Sequence, residues 1–286
     1  MFRPITVLVL AIGLLASACG TPTTPEGVAL DSQATTLPDA GAEVPDSEPT
    51  DLAQSSSAYG GEPPIANEAT LSYEEIAEKL ETVSADGASD PVLVFSDDFA
   101  SPCWSEFSRD DFATNYADGA YELSVMPGGF STAFGLIPSV GPLEDFYFQI
   151  ETRAYGPADN GYGIRFREQE AGFYEFTISS GGTDSNGEPI SSGGTFSIDK
   201  FAEGSLERIV PFKSVAPSIV QGDGELNVLG VLALGPEIFL YINGQEVASF
   251  SDPDLADGTV SLRVSPYFEE GSRTLFDNAE IWVPAN

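Results

Sequence analysis

The stretch YGIRFREQEAGFYEFTIS (residues 162–179) decides the fold class of the chain. Apolar residues recur at every second position in both of its halves: Tyr162, Ile164 and Phe166, then Tyr174, Phe176 and Ile178. A repeat of two places alternate side chains on the same side of an extended strand. The stretch therefore predicts two paired strands, with a turn near Glu170.

The same alternation of apolar and polar residues recurs in further segments of the chain between residues 121 and 283. Further strands are predicted at residues 121–125, 146–150, 195–201, 207–212, 226–234, 237–242, 246–250, 259–265 and 274–283. Asn243 and Gly244 separate two of them, and this pair is typical of a type I′ hairpin turn, which needs two positive φ angles. Short strands at this spacing, with no helical period between them, predict an all-β fold over residues 91–286. We expect a two-sheet antiparallel jelly-roll sandwich.

The beginning of the chain has the layout of an export signal. Arg3 supplies a positive charge, and an apolar run follows over residues 5–15. This run suits a signal peptide but is too short for a membrane span, which needs about 20 residues as a helix. LASAC (residues 15–19) resembles the bacterial lipobox. That resemblance implies that residues 1–18 are removed and that Cys19 carries the lipid that attaches an exported protein to the membrane.

A tether and a short helix are predicted between this signal and the sandwich. Residues 19–70 are acidic, rich in Pro, Ser, Thr and Ala, and poor in aromatic residues. Such a segment cannot bury enough apolar surface to offset its conformational entropy, so it is predicted to be a disordered acidic tether. Ser72 and Glu75 have the spacing of a capping box, and Ile76 and Leu80 follow at helical intervals. Residues 71–90 are therefore predicted to hold a short helix and a linker.

Charge and cysteine content restrict the function. The chain has a formal net charge of −34, and residues 91–286 alone contain 30 acidic residues and nine basic ones. This charge repels nucleic acids, which are therefore not expected as partners. Cys103 is the one cysteine besides Cys19 and cannot form an internal disulfide within the sandwich. The chain has no histidine, so a nucleophilic role for Cys103 is not expected.

Four motifs resemble the concanavalin A-like jelly rolls of the laminin-G and 3-keto-disaccharide hydrolase kind. They are FSDDF (residues 95–99) with Trp104 soon after, the hairpin of residues 162–178, the pair NVL (227–229) and FLYINGQEV (239–247), and LFDNAEI (275–281). The resemblance spans about residues 92–283. It implies a fold that is used both by sugar-binding and by sugar-cleaving domains, and it does not choose between them.

The central hairpin offers a candidate ligand-binding surface. A turn near Glu170 would pair Arg165 with Glu175 and Arg167 with Phe173, all on the face opposite the apolar residues. Planar polar groups beside an aromatic ring suit the recognition of a sugar. The alternative is a cross-strand salt bridge on a solvated sheet, which contributes about 0.2–1 kcal/mol.

Catalysis is not expected, although it stays an alternative. Retaining glucanases with this fold carry E-x-D-x-E or a near variant on one strand, and the chain has no such run. The nearest sequence is Glu168-Gln169-Glu170, at the predicted hairpin tip. We expect a non-catalytic module that binds carbohydrate or another extracellular ligand. The alternatives are an extracellular glycoside hydrolase acting on oligosaccharides and a protein-interaction or adhesion module.

Calcium is the expected cofactor if the domain has one. Ca²⁺ takes six to eight oxygen ligands, usually from Asp, Asn and backbone carbonyls in loops. Two sets of residues are candidates: Asp252, Asp254 and Asp257 in one loop, and Asp97, Asp98, Asp277 and Asn278 near the two ends of the domain. Asp-rich turns without a metal are the alternative, because Asp favours turns.

Overall fold

A computed structural model describes residues 70–82, 90–128, 133–137, 140–266 and 270–285. The predicted signal peptide, Cys19 and the tether up to residue 69 lie outside the described residues. Within the ranges that are described, no helix has both the length and the apolar character needed to cross a bilayer.

The described elements are one short helix and a series of strands. Helix α1 spans Tyr73–Glu81. The strands are β1 (Val92–Asp97), β2 (Phe107–Ser108), β3 (Phe112–Ala117), β4 (Ala120–Val125), β5 (Ala133–Leu136), β6 (Phe146–Tyr155), β7 (Gly161–Gln169), β8 (Gly172–Ser179), β9 (Gly194–Ala202), β10 (Ser205–Ala216), β11 (Leu226–Leu234), β12 (Glu237–Ile242), β13 (Gln245–Ser251), β14 (Thr259–Ser265) and β15 (Ser272–Val283).

These strands form two antiparallel sheets. The nine-stranded sheet has the order β13-β12-β11-β6-β15-β4-β3-β2, and β1 pairs with the second half of β15. The six-stranded sheet has the order β10-β9-β8-β7-β14-β5. The predicted all-β fold class, a two-sheet antiparallel sandwich preceded by a short helix, is confirmed.

One continuous apolar core lies between the sheets. The alternating residues of the central hairpin belong to it, and Ile164, Phe166 and Phe176 are completely buried there. Phe148 and Ile150 on β6 pack in the same core from the nine-stranded sheet. Each such side chain stabilises the fold by about 1.5–3 kcal/mol relative to an exposed position. The period of two in the central hairpin therefore reflects the face that each of its strands turns toward this core.

Helix α1 is docked on the sandwich. Its first turn has the predicted capping box, in which the Ser72 side chain accepts from Glu75 N and the Glu75 carboxylate accepts from Ser72 N. The apolar stripe of the helix packs against residues that alternate with core positions of β6, β11 and β12, so α1 covers part of the outer face of the nine-stranded sheet. This contact consists of Leu71, Ile76, Leu80, Tyr147, Leu232 and Tyr241. The predicted short helix is confirmed.

The turn between β12 and β13 is also confirmed. Ile242 pairs with Gln245, and the two residues between them have φ angles of 51° (Asn243) and 73° (Gly244). The Asn243 side chain stabilises the turn further, because it accepts from Val228 N at 2.7 Å and donates to Ser218 O at 2.7 Å.

Candidate ligand-binding face

The outer face of the six-stranded sheet carries a row of charged residues. Arg165 on β7 pairs with Glu175 on β8, as predicted, and Glu175 pairs with Asp199 on β9. Asp199 in turn pairs with Arg208 on β10. These positions alternate with core residues such as Ile164 and Ile198, so their side chains point away from the core. We call this surface the polar face; it consists of Arg165, Glu168, Phe173, Glu175, Thr177, Ser197, Asp199, Phe201, Arg208, Ser261 and Arg263.

Glu175 is bound by two arginines from different strands. Its Oε2 accepts from Arg165 Nε at 2.8 Å, and its Oε1 accepts from Arg263 Nη1, on β14. The same Nη1 also donates to Thr177 Oγ1 at 2.6 Å. All three charged side chains are largely shielded from water, with 17% (Arg165), 14% (Glu175) and 7% (Arg263) of their surface exposed. The carboxylate therefore fixes both guanidinium groups in place.

Two phenylalanines lie next to this charged row. The Cζ atom of Arg165 is 3.9 Å from the centroid of the Phe173 ring, so the guanidinium covers one face of that ring. Phe173 is also next to Phe201, with ring centroids 5.4 Å apart. A sugar could not stack on the ring face that Arg165 already covers. What the polar face offers a ligand is mainly hydrogen bonding.

The hydroxyl groups of the polar face are sheltered although they lie outside the core. Thr177 and Ser197 are each 3% exposed, and Ser261 is completely buried. Exposure rises toward the sheet edge, where 49% of the Arg208 side chain is accessible. The polar face is therefore hidden from solvent on its inner strands and open to solvent at its edge strand.

Burial changes the proton affinity of two groups in this row. It raises the pKa of Asp199 above the usual 3.8, although Arg208 opposes this by donating to Asp199 Oδ1 at 3.1 Å. Burial also lowers the pKa of the Arg165 guanidinium, against the opposing effect of Glu175. In both cases the loss of hydration outweighs the ion pair.

The predicted pairing of Arg167 with Phe173 is wrong. The register of β7 and β8 shifts between Phe166 and Gln169, and Arg167 has a φ of 48° in the resulting bulge. A bulge re-aims the side chain that it contains. Arg167 is 0% exposed and donates to the carbonyl oxygens of Leu255 (2.9 Å), Glu144 (3.0 Å) and Gly235 (2.5 Å). It joins three loops and does not belong to the polar face.

The first candidate calcium loop binds a lysine. Lys200 Nζ, on β9, lies 2.6 Å from Asp252 Oδ2 and 2.5 Å from Asp254 Oδ2. Asp257 takes part through its backbone, whose carbonyl accepts from Gln169 Nε2 at 3.0 Å. The ammonium group of Lys200 therefore bridges two of the three carboxylates proposed as calcium ligands.

Members of the second candidate set also have partners within the protein. Asp97 Oδ2 accepts from Trp104 Nε1 at 2.8 Å and lies 3.3 Å from Cys103 Sγ. Burial raises the pKa of Asp277, and Glu151 and Asp98 add to this effect. No group of three or more Asp, Glu or Cys side chains is arranged to hold a metal in the part of the chain that the structure describes. Calcium binding stays a prediction.

Sequence reasoning missed Asp199, Arg208 and Arg263. A signal for Arg263 exists, since Ser261, Arg263 and Ser265 alternate with Val260, Leu262 and Val264 along β14. What the pattern does not contain is the strand order, which places β14 beside β7 and β10 beside β9. Glu168, predicted at a hairpin tip, is instead bound to Ser261 Oγ at 2.7 Å.

No protein-family model matches the sequence, and no curated protein matches it. Several solved structures are similar to the chain in fold. The carbohydrate binding module CBM66 from Bacillus subtilis has a TM-score of 0.45 and 14% identity, over 62% of this chain and 92% of that one. A β-glucanase of Bacillus licheniformis has a TM-score of 0.46 and 9% identity, over 67% and 98% of the two chains. A β-1,3-1,4-glucanase from a mouse hindgut metagenome has a TM-score of 0.47 and 11% identity, over 67% and 99%.

Proposed function

We propose that this chain is a surface-anchored lipoprotein whose sandwich binds carbohydrate on the polar face without cleaving it. The observation that supports this proposal is the sheltered, hydrogen-bonding outer face of the six-stranded sheet. Arg165, Glu175 and Arg263 hold one another in fixed positions there, next to the hydroxyl groups of Thr177, Ser197 and Ser261. Ligand sites typically combine shelter from water with a few precisely placed polar groups.

Carbohydrate suits this set of groups because a sugar presents many hydroxyls, each of which can both donate and accept. Carboxylates accept hydrogen bonds, guanidinium groups donate them, and Ser and Thr hydroxyls do both. The partly exposed carboxylates and guanidinium groups of the polar face can match a ring of hydroxyls.

Hydrolysis is the second candidate, and one specific observation favours it. Glu175 and Asp199 are direct neighbours on adjacent strands, and burial raises the pKa of Asp199. Glycosidases use two carboxyl groups, one of which must carry a proton. Against this, both carboxylates are already hydrogen-bonded to arginines, and Arg208 opposes the rise in the pKa of Asp199. Binding therefore explains more of the polar face than catalysis does.

A glycan array tests the binding proposal. The chain starting at Gly20, which has no lipid acceptor, is applied with and without Ca²⁺, and the bound glycans are also assayed for release of reducing ends. We expect binding without cleavage, and loss of binding in Arg165→Ala. Arg109→Ala is the matched control, because Arg109 also lies over a phenylalanine, Phe107, at 4.9 Å, but in the nine-stranded sheet. No binding under either condition would contradict the proposal and favour a protein-interaction module. Cleavage would favour the hydrolase.

Lipid attachment has its own test. Cells that express the chain are fed a labelled fatty acid, and the membrane fraction is examined for the labelled protein. We expect label in the wild type and none in Cys19→Ser, because no other residue of the predicted lipobox can be acylated through sulfur. Label in the variant would contradict the proposed anchor.

A further inference from the structure

The charges of the polar face balance. Arg165 and Arg263 both bind Glu175, and Arg208 binds Asp199. Glu168 adds a third carboxylate, with its Oε1 at 3.6 Å from Arg165 Nη1. Three guanidinium groups thus face three carboxylates, and each guanidinium has a carboxylate partner.

This balance is unusual for the surface of this molecule. Residues 91–286 contain 30 acidic and nine basic residues, so three of the nine basic residues stand together on one sheet face. The remaining surface is strongly acidic, and its field repels anions that approach. The polar face therefore offers no surplus positive charge that could offset this repulsion.

From this pairing we infer that the polar face selects uncharged glycans and excludes those that carry carboxylate or sulfate groups. The inference rests on the proposed function. An acidic sugar would have to compete with Glu175, because both oxygens of that carboxylate already take guanidinium donors. An uncharged sugar needs no such exchange, since its hydroxyls can bond to the outer edges of the ion pairs.

The first experiment compares two panels on the same array. The neutral panel consists of malto-, xylo- and chito-oligosaccharides, and the acidic panel of oligogalacturonates, hyaluronan fragments and heparin fragments. We expect hits in the neutral panel alone, with affinities that do not change between low and high salt, because no net charge is neutralised on binding. Acidic hits by the wild type would overturn the inference and leave the proposed function standing. No hits in either panel would instead contradict the proposed function.

A second experiment neutralises single carboxylates of the polar face. It separates the effect of the ion pairs on that face from the repulsion by the net negative charge of the whole domain. Glu175→Gln leaves Arg263 without its carboxylate and Arg165 with Glu168 as its remaining carboxylate partner. Asp199→Asn leaves Arg208 without its carboxylate. We expect each variant to bind oligogalacturonate at least roughly tenfold more tightly than the wild type, the effect of one charge-assisted hydrogen bond. If the field of the whole domain excluded acidic sugars, neither variant would gain affinity, and the inference would be wrong.

A second variant and a control are included because Glu175→Gln can fail to fold. Glu175→Gln leaves the shielded guanidinium of Arg263 without its carboxylate, so the variant can fail to fold. Asp199→Asn then decides, because its partner Arg208 is half exposed and can be hydrated. Asp118→Asn is the matched control: Asp118 also pairs with an arginine, Arg273, at 3.0 Å, but in the nine-stranded sheet. It should leave the profiles of both panels unchanged, and a gain of acidic binding in this control would count against a role for the polar face.

Discussion

Arg167 Nη1 donates a hydrogen bond of 2.9 Å to the carbonyl oxygen of Leu255, a residue 88 positions away in the sequence. The Arg167 side chain is completely buried and has no carboxylate partner within salt-bridge distance among the described residues. Burial lowers the pKa of its guanidinium, although nearby acidic groups oppose the shift. Its three carbonyl partners belong to three loops at one end of the sandwich, so this guanidinium organises the loops as a bound cation would.

Loss of this arginine should destabilise the fold strongly. We expect Arg167→Met to lower the free energy of unfolding by about 3–5 kcal/mol, because it leaves three carbonyl oxygens without their donor. Urea denaturation of the chain starting at Gly20 measures the change. Arg153→Met is the matched control, since Arg153 also donates to a carbonyl, Gly224 O at 3.2 Å, but from an exposed position. A loss below about 1 kcal/mol in Arg167→Met would show that the loops do not depend on it.

The Lys200 cluster predicts a particular dependence of stability on pH. Burial by itself would lower the pKa of Lys200, but the hydrogen bonds to Asp252 and Asp254 raise it above 10.5. Burial by itself would raise the pKa of Asp252, but the bond from Lys200 lowers it below 3.8. The raised lysine pKa makes its contribution disappear only as the pH rises above about 10. The lowered aspartate pKa makes its contribution disappear only as the pH falls below about 4.

Lys200→Met tests this dependence. We expect the variant to lose about 1–3 kcal/mol of unfolding free energy between pH 5 and pH 9, and the difference from the wild type to shrink below about pH 4. Denaturation midpoints across this range provide the measurement. Lys79→Met serves as the control, because Lys79 lies over Phe239 and has no salt-bridge partner among the described residues. A difference that stays constant down to pH 2 would contradict the role given to Asp252.

The raised pKa of Asp199 predicts a dependence of stability on pH that is opposite to that of Asp252. Because the pKa of Asp199 is higher in the folded protein than in the unfolded chain, folding disfavours its charged form. The contribution of Asp199 to the free energy of unfolding therefore becomes more favourable as the pH falls through its folded-state pKa. We expect Asp199→Asn to be at least as stable as the wild type at pH 7, measured as the melting temperature. A clear drop in that temperature would show that the Arg208 pair outweighs the burial of Asp199.

Helix α1 should detach without unfolding the sandwich. Leu80 is 1% exposed and packs with Tyr147 and Tyr241, so Leu80→Ala truncates one of the two buried side chains of the helix. Truncation of a buried leucine costs about 2–5 kcal/mol, which exceeds what a nine-residue helix contributes by itself. Hydrogen exchange should rise in residues 73–81 and stay unchanged in β6 and β11. The exposed Glu78→Ala is the control, and an equal rise in the sheet would contradict independent detachment.

The sequence predicted those features that depend on local pattern. The alternation around Ile164 and Phe176 predicted the central hairpin and its Arg165–Glu175 pair, and Asn243-Gly244 predicted a turn with two positive φ angles. The inward turn of Arg167 could not be predicted in this way. It requires a left-handed residue inside a strand, where neither glycine nor asparagine marks the position, and it is stabilised by carbonyls from distant loops.

The composition of the polar face could be predicted only in part. Each strand shows which residues share a face, but the pattern does not say which strands are neighbours. Arg263 therefore could not be assigned to Glu175, 88 positions earlier, without the sheet order. The same limit applies to Lys200, since its carboxylate partners Asp252 and Asp254 lie in a loop whose three aspartates suggested a metal site.

Glu175 accepts hydrogen bonds from Arg165 and Arg263 at the same time, and this arrangement has a consequence for the entropy of binding. An arginine that becomes immobilised loses up to about 2 kcal/mol of rotamer freedom, and a flexible surface site pays this when its ligand arrives. Here Arg165 and Arg263 are immobilised in the folded protein before any ligand is present. The polar face is thus preorganised, and even a ligand that makes few contacts can retain most of the free energy that those contacts provide.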